Sequence, residues 1–180
     1  LTQQPLRVLI MGDKQARLWG VPFTQSGRVK ARAIDFVCNR IRFSAFSFDE
    51  GALRGYYEAI SRMRPDYFYG YASMLYQFAK FMKQSGLRLG YRPKAVISTS
   101  EVLYDSQREV ISSALECPVF NEYGCGEVGT IAHECEHGAL HCNTENLHLE
   151  IIKDGLPCKP GEVGELCVTE LNNKAFPLVR

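Results

Sequence analysis

The chain has 180 residues, 46% of them hydrophobic, and a formal net charge of +1 at pH 7. Such a chain can bury a sizeable core as one domain, or as one domain with a small appendage. The near-neutral charge gives no reason to expect nucleic acid or an anionic membrane as a partner. No apolar run approaches a membrane span in length and the start lacks the layout of a signal peptide, so we expect a cytoplasmic protein.

The first third of the sequence predicts two strands separated by an irregular segment. Residues 7–11 form a short apolar run before Gly12, which is typical of a buried strand. Residues 13–32 predict a loop, and the aromatic and β-branched residues of 34–46 favour a second strand. The loop carries the basic residues Lys14, Arg17, Arg28, Lys30 and Arg32. These either face phosphates or, as is usual for scattered basic residues, form a solvated surface.

Helices and strands alternate in the middle of the chain. Ser47 and Glu50 fit a capping box before an amphipathic helix that Pro65 ends. Residues 67–71 predict a strand, and Ser73 is expected to cap a second amphipathic helix that stops near Gly86. Residues 95–99 and 117–120 predict two further strands around a helix that begins at Asp105. This order implies parallel βαβ units with right-handed crossovers.

The last third changes to strands with tight connections. Residues 130–134, 147–152 and 165–171 predict strands separated by turn residues. We therefore expect an α/β fold in which a parallel βαβ sheet flanked by helices is followed by a small antiparallel ribbon or sheet. The expected division is an α/β subdomain over residues 1–128 and a β-rich extension over residues 129–180.

The polar stretch 121–135, NEYGCGEVGTIAHEC, follows a predicted strand, which is where α/β sheets bind ligands. Its glycines permit tight turns and close approach of the backbone to a ligand. Tyr123 offers an aromatic face for a nucleotide base, and Glu127 offers a carboxylate for magnesium on its phosphates. The alternative is a Gly-rich turn in which Tyr123 caps the core and Glu127 is solvated.

A second polar strand end lies at residues 98–101, STSE. Carboxyl ends of parallel strands meet at one edge of a sheet, so Thr99, Ser100 and Glu101 are expected to line one crevice with Tyr123 and Glu127. The alternative is that Asp105 or Ser100 simply caps the next helix, and capping is compatible with binding.

Seven cysteines, an odd number, without a secretory signal indicate reduced thiols or metal ligands rather than a disulfide frame. The densest cluster of potential ligands is His133, Cys135, His137, His141 and Cys142. Thiolate and imidazole are natural zinc donors, although the spacing matches no standard finger. His141 and Cys142 are adjacent, so in extended chain only one of them is expected to join a given ion. The alternative is a set of buried or half-exposed structural residues.

Four stretches in the same order resemble the adenylate-forming ligases. They are PDYFYGYASMLYQFAKFM from Pro65, KAVISTSEVL from Lys94, the Tyr-Gly-x-x-Glu of Tyr123 to Glu127 with Glu134 and Cys135 behind it, and GEVGELCVTELNNKAFPLVR from Gly161. The phenylacetate-coenzyme A ligase branch and its capsular-polysaccharide-biosynthesis relatives are the most similar. The resemblance covers most of the chain from about residue 65 onward.

This resemblance implies an enzyme in which a carboxylate attacks the α-phosphate of ATP, and a thiol, usually coenzyme A, intercepts the acyl-adenylate. ATP or AMP, Mg²⁺ and coenzyme A are the implied cofactors, and a small carboxylic acid is the implied substrate. The implied roles are adenine stacking for Tyr123 and catalytic magnesium binding for Glu127. Ser100, Glu101, Asn121, Glu122 and Gly124 are the implied nucleotide or acyl-pocket neighbours. Cys125 and Gly126 depart from the hydroxyl-bearing residues common in the superfamily.

The same resemblance predicts that the chain is the central part of a longer enzyme. No Ser/Thr/Gly-rich phosphate loop is found, and the family's ribose-binding Asp and mobile C-terminal domain would follow residue 180. In the family Cys135 and His141 recur beside a downstream Cys-x-Cys-Gly motif, which implies a structural zinc site completed outside this sequence. A different class stays open: a non-catalytic, zinc-stabilised module that binds a nucleotide or a partner.

Overall fold

A computed structural model of the chain describes residues 9–10, 12–20, 24–44, 46 and 48–173. The chain divides into two compact units, Leu1–Asn121 and Glu122–Arg180. The assignment of 1–128 and 129–180 to parts of an adenylation domain stays a prediction. No helix in the described part of the chain combines the length and apolar content needed to cross a membrane.

Strands and helices alternate in the first unit. Its elements are β1 (Gln15–Trp19), α1 (Gln25–Val37), β2 (Arg40–Ser44), α2 (Glu50–Met63), β3 (Tyr67–Tyr71), α3 (Ala72–Gln84), β4 (Ala95–Thr99) and α4 (Asp105–Leu115). The strand β5 (Val119–Cys125) contains the boundary between the units. The remaining strands are β6 (Gly129–Glu134), β7 (Leu140–Cys142), β8 (Leu147–Lys153), β9 (Leu156–Pro157) and β10 (Glu165–Glu170).

Two sheets organise these strands. The larger has seven strands in the order β2-β1-β3-β4-β5-β6-β7, and the smaller has three in the order β10-β8-β9. The strand β1 pairs in parallel with β2 and β3, and β3 pairs in parallel with β4. The pairs made by β6 with β5 and β7, and those of the smaller sheet, are antiparallel. The predicted α/β fold class is therefore confirmed.

The core of the first unit lies on one face of its parallel strands. Residues alternate between the faces of a strand, and Leu18 and Phe68 are fully buried on one of them. Phe78 on α3 stacks against Phe68 with ring centroids 6.5 Å apart. Gly70 permits the close approach of β3 to β1, since a Cβ there would lie 2.5 Å from the carbonyl oxygen of Leu18.

The predictions for residues 13–46 are wrong over β1 and α1 and right over β2. The expected loop contains β1 and most of α1, and the expected strand over 34–46 contains the end of α1 and then β2. Thr24 caps α1 by accepting a hydrogen bond from the backbone N–H of Gly27 at 3.2 Å. The apolar residues Phe36 and Val37, which favoured a strand, lie exposed on this helix. The predicted strand over 7–11 lies mostly outside the described residues.

Helix caps differ from the predicted ones, whereas the strands at 67–71 and 95–99 are confirmed. Asp49 caps α2 by accepting from the N–H of Ala52 at 2.9 Å, and Ser47 lies outside the described residues. The N-cap positions of α3 and α4 are Tyr71 and Tyr104, one residue before the helices begin. The short β7 was not predicted. Its three residues are all exposed, and they are too few to show the alternation of apolar and polar residues that indicates a strand.

A charged cluster links α1 to β2. Asp35 on α1 accepts hydrogen bonds from Nε and Nη2 of Arg42 at 3.1 and 2.9 Å, and another from Nε of Arg40. Burial alone would raise the pKa of Asp35, but the hydrogen bonds from Arg42 and Arg40 outweigh it, so this pKa lies below its ordinary value. The three side chains are 12 to 16% exposed, so each charge depends on the others for compensation.

We expect Asp35→Asn to lower the free energy of unfolding at pH 7 by about 3 kcal/mol, because two mostly buried guanidinium groups lose their countercharge. Urea denaturation followed by circular dichroism measures this change. Asp154→Asn is the matched control: Asp154 is exposed at φ +52°, a conformation that Asn tolerates, and a change within about 0.5 kcal/mol is expected.

The difference between wild type and Asp35→Asn is also expected to depend on pH. The folded pKa lies below the unfolded value of about 3.9, so the stabilisation is complete at neutral pH. It declines once the pH falls below about 4 and is lost as the pH passes through the folded pKa. A difference that stays constant from pH 7 to pH 3 would contradict this account.

Candidate functional site

The Tyr-Gly-x-x-Glu motif lies on the tight hairpin between β5 and β6. Gly124 is opposite Thr130 and Cys125 is opposite Gly129, with an irregularity in the register between Tyr123 and Gly124. A Cβ on Gly124 would lie 2.3 Å from the carbonyl oxygen of Gly129, so the two strands can approach only because residue 124 has no side chain. This close pairing holds Glu127 in the connection between the strands.

Tyr123 and Glu127 are both accessible. The Tyr123 side chain lies at the end of β5 and is 50% exposed, which leaves its ring available for stacking. Glu127 is exposed in the turn. The predicted strand over 117–120 is observed as Val119–Cys125, so Tyr123 and Gly124 belong to the strand itself rather than to a loop beyond it.

Glu122 differs from its neighbour Tyr123. It is buried, and its Oε2 lies 3.5 Å from Nδ1 of His133, its partner across β6. Because adjacent residues of a strand point to opposite faces, Glu122 and Tyr123 do not share a face. Asn121, half-buried on β5, precedes them. The sequence analysis did not predict the pairing of Glu122 with His133, because it did not establish the register of the hairpin.

The residues after β4 form a turn held by a hydrogen-bonded carboxylate. Ser100 has φ +65°, which a residue with a side chain rarely adopts. Glu101 accepts hydrogen bonds from the backbone N–H of Ser73 at 2.7 Å and from its hydroxyl at 3.0 Å. The carboxylate thus satisfies donors at the start of α3, where negative charge is stabilised. No local pattern predicts this contact, because the two residues are 28 positions apart.

The predicted zinc ligands lie on β6, on β7 and in the connection between them. His141 is opposite His133 and Cys142 is opposite Ala132, so the adjacent His141 and Cys142 lie on opposite faces of β7, as expected. Cys135 is half-buried, and His137 is exposed in the connection between β6 and β7. Among the residues that the structure describes, no three His, Cys, Asp or Glu side chains are close enough to hold a metal ion. The zinc site, which the resemblance completes with residues outside this sequence, stays a prediction.

The predicted site residues thus fall into two groups, one in each compact unit. Ser100 and Glu101 form the turn after β4 in the first unit, and Tyr123, Gly124 and Glu127 form the hairpin in the second. The crevice expected to join these groups stays a prediction.

Comparison with known proteins supports the resemblance found in the motifs. No family model matches the chain. The chain is 28% identical to Protein CapK from Staphylococcus aureus over an alignment of 144 residues. The alignment covers 79% of this chain and 30% of CapK. The chain therefore spans about a third of the length of this relative.

Several solved structures with a similar fold are CoA ligases. A 2-hydroxyisobutyryl-CoA ligase in complex with 2-HIB-AMP and CoA matches with a TM-score of 0.66 and 15% identity, over 90% of this chain and 37% of the ligase. The anthranilate CoA ligase AuaEII in complex with anthranoyl-AMP matches with a TM-score of 0.58 and 15% identity, over 92% of this chain and 33% of the ligase. A long-chain-fatty-acid-CoA ligase from Archaeoglobus fulgidus matches with a TM-score of 0.60 and 14% identity, over 91% of this chain and 35% of the ligase. The fold expected from the resemblance is confirmed: the chain shares its fold with these CoA ligases.

The glycine at position 124 provides a test of the hairpin. We expect Gly124→Ala to lower the free energy of unfolding by about 2 kcal/mol, since its Cβ would collide with the backbone of Gly129. Gly126→Ala is the matched control, because a Cβ at residue 126 meets no atom within 4 Å. That variant is expected to be unchanged or more stable by up to about 1 kcal/mol. Equal effects of the two substitutions in urea denaturation would show that the close approach is not as described.

Proposed function

We propose that this chain, which has the fold of the adenylate-forming CoA ligases, is the central part of an ATP-dependent ligase that activates a carboxylic acid. In the proposed reaction a carboxylate oxygen attacks the α-phosphorus of ATP and pyrophosphate leaves, which gives an acyl-adenylate. A thiol, for which coenzyme A is the proposed donor, then attacks the acyl carbon and AMP leaves. A phenylacetate-like aryl acid is the proposed substrate class.

The observation that carries the proposal is the pairing of this fold with an exposed Tyr123 and Glu127 on a sterically constrained hairpin. A half-exposed tyrosine ring can stack on adenine, and stacking of a base on an aromatic side chain contributes about 1 to 3 kcal/mol. Gly124 allows the backbone of β5 to lie close to Gly129, which fixes the hairpin that carries both side chains. These features favour a nucleotide site over a solvated turn.

The role proposed for Glu127 is to hold magnesium on the phosphates of ATP. One carboxylate suits this ion, because Mg²⁺ usually binds one or two protein carboxylates together with substrate phosphates and water. When bound, the ion would neutralise charge on the phosphates. The chain's own contribution is to position the nucleotide, the largest part of catalysis in phosphoryl transfer.

Glu101 is proposed to act by positioning rather than by touching the nucleotide with its carboxylate. Both carboxylate oxygens already accept hydrogen bonds from Ser73. This contact supports the turn in which Ser100 has a positive φ, and it leaves the backbone and hydroxyl of Ser100 as groups for nucleotide contact. Zinc is not needed for any step of the proposed reaction.

Glu127→Gln tests the proposal in the full-length protein. We expect pyrophosphate exchange into ATP to fall by at least about a hundredfold, because the amide cannot supply the charge that magnesium requires. Thermal unfolding is expected to be unchanged, since Glu127 is exposed. Glu145→Gln, another exposed glutamate of the second unit, is the matched control and should retain full exchange. Full exchange in Glu127→Gln would refute the role of this residue.

A further inference from the structure

A basic groove lies between α1 and β2, and none of its lining residues belongs to the proposed nucleotide site. Its volume is about 540 Å³, and its lining comprises Arg28, Ala31, Arg32, Asp35, Phe36, Arg40, Ile41 and Arg42. Four guanidinium groups and one carboxylate leave the lining with a net charge of +3. The volume is in the range of small-molecule sites, which is about 300 to 1,000 Å³.

The single carboxylate of the groove is already engaged. Asp35 accepts hydrogen bonds from both Arg40 and Arg42. Arg28 and Arg32 lie one turn apart on α1 and are exposed, and neither has an ion-pair partner among the described residues. The two free guanidinium groups therefore point to an anion supplied from outside the chain.

A further arginine increases the positive potential at this face of the sheet. Arg17 on β1 is opposite Arg42 in the parallel register, and its guanidinium lies 4.8 Å from the ring of Trp19. Its Nε is buried and has no hydrogen-bond partner among the described residues. Burial, followed by the like charge of Arg40, lowers the pKa of Arg17 below its ordinary value. A bound anion stabilises neighbouring positive charges such as those of Arg17, Arg40 and Arg42.

The groove also has an apolar side. Phe36 is 88% exposed, and Ile41 is partly buried against the core. A large aromatic side chain left in water beside guanidinium groups suits a ligand that has both an apolar part and a charged end.

We propose that the groove between α1 and β2 binds a small phosphate monoester with an apolar portion. The phosphate would bind Arg28 and Arg32, and the apolar portion would cover Phe36. Several guanidinium groups from two elements favour phosphate over carboxylate, because phosphate presents more oxygens to planar donors and carries up to two charges. The site is independent of the proposed ligase activity.

Isothermal titration of the full-length protein with n-hexyl phosphate tests the site, at about pH 8, where the monoester is dianionic. We expect one saturable site. Inorganic phosphate and hexanol, the two parts of the probe, are each expected to bind at least about tenfold more weakly, because each retains only one set of contacts. Equal affinity for hexanol, or no saturable binding of hexyl phosphate, would overturn the proposal.

Variants of α1 locate the binding. The double variant Arg28→Gln with Arg32→Gln is expected to bind hexyl phosphate at least about tenfold more weakly, since two charge-assisted contacts are lost. Lys30→Gln removes a charge from the same helix but does not line the groove, and it should bind as wild type does. All of these residues are exposed, so the variants are expected to fold, as circular dichroism would verify. Equal affinities of the double variant and Lys30→Gln would refute the site.

Discussion

The structure of the first unit depends on the burial of one face of its parallel strands. Leu18 and Phe68 point into the core with Phe78, while Arg17 and Tyr69 point to the other face. A shift of one residue in register would place Arg17 in the core, so burial specifies the pairing of the strands. The same alternation aligns Arg17 with Arg42 and creates the positive potential beside α1. The alternation of side chains along the strands thus produces both the core and the charged face.

A steric constraint of another kind organises the hairpin of the second unit. The backbone of β6 approaches Gly124 too closely for any side chain, and Gly129, at φ +72°, supplies a conformation that favours glycine. Because the turn is closed by backbone contacts, Tyr123 and Glu127 are free to remain exposed. Exposed functional side chains on a constrained backbone are typical of binding sites, since the side chains need not also support the fold. This is the physical reason for the proposal that the motif binds a ligand.

Local patterns predicted the elements in the middle of the chain. The helices α2 and α3 were predicted because their apolar residues recur every three to four positions, and the strand at 95–99 because it begins with a continuous apolar run. Residues 13–46 were mispredicted because α1 has no buried residue and its apolar side chains are exposed, so the usual helical stripe is absent. The contact of Glu101 with Ser73 and the groove beside α1 could not be predicted, because each joins residues through tertiary structure. The motif residues were predicted from their chemistry, and that role stays a prediction. The opposite faces of Glu122 and Tyr123 became evident only with the register.

The central claim is that the protein forms an acyl-adenylate. The measurement that tests it most directly is pyrophosphate exchange into ATP by the full-length protein, screened against a panel of aryl and aliphatic carboxylic acids. The account predicts exchange that depends on one class of acid, with aryl acids preferred, and this result would identify the reaction and the substrate class together. Absence of exchange with every acid, from a folded protein supplied with magnesium and zinc, would contradict the claim and favour a module that binds a nucleotide or a partner without turnover.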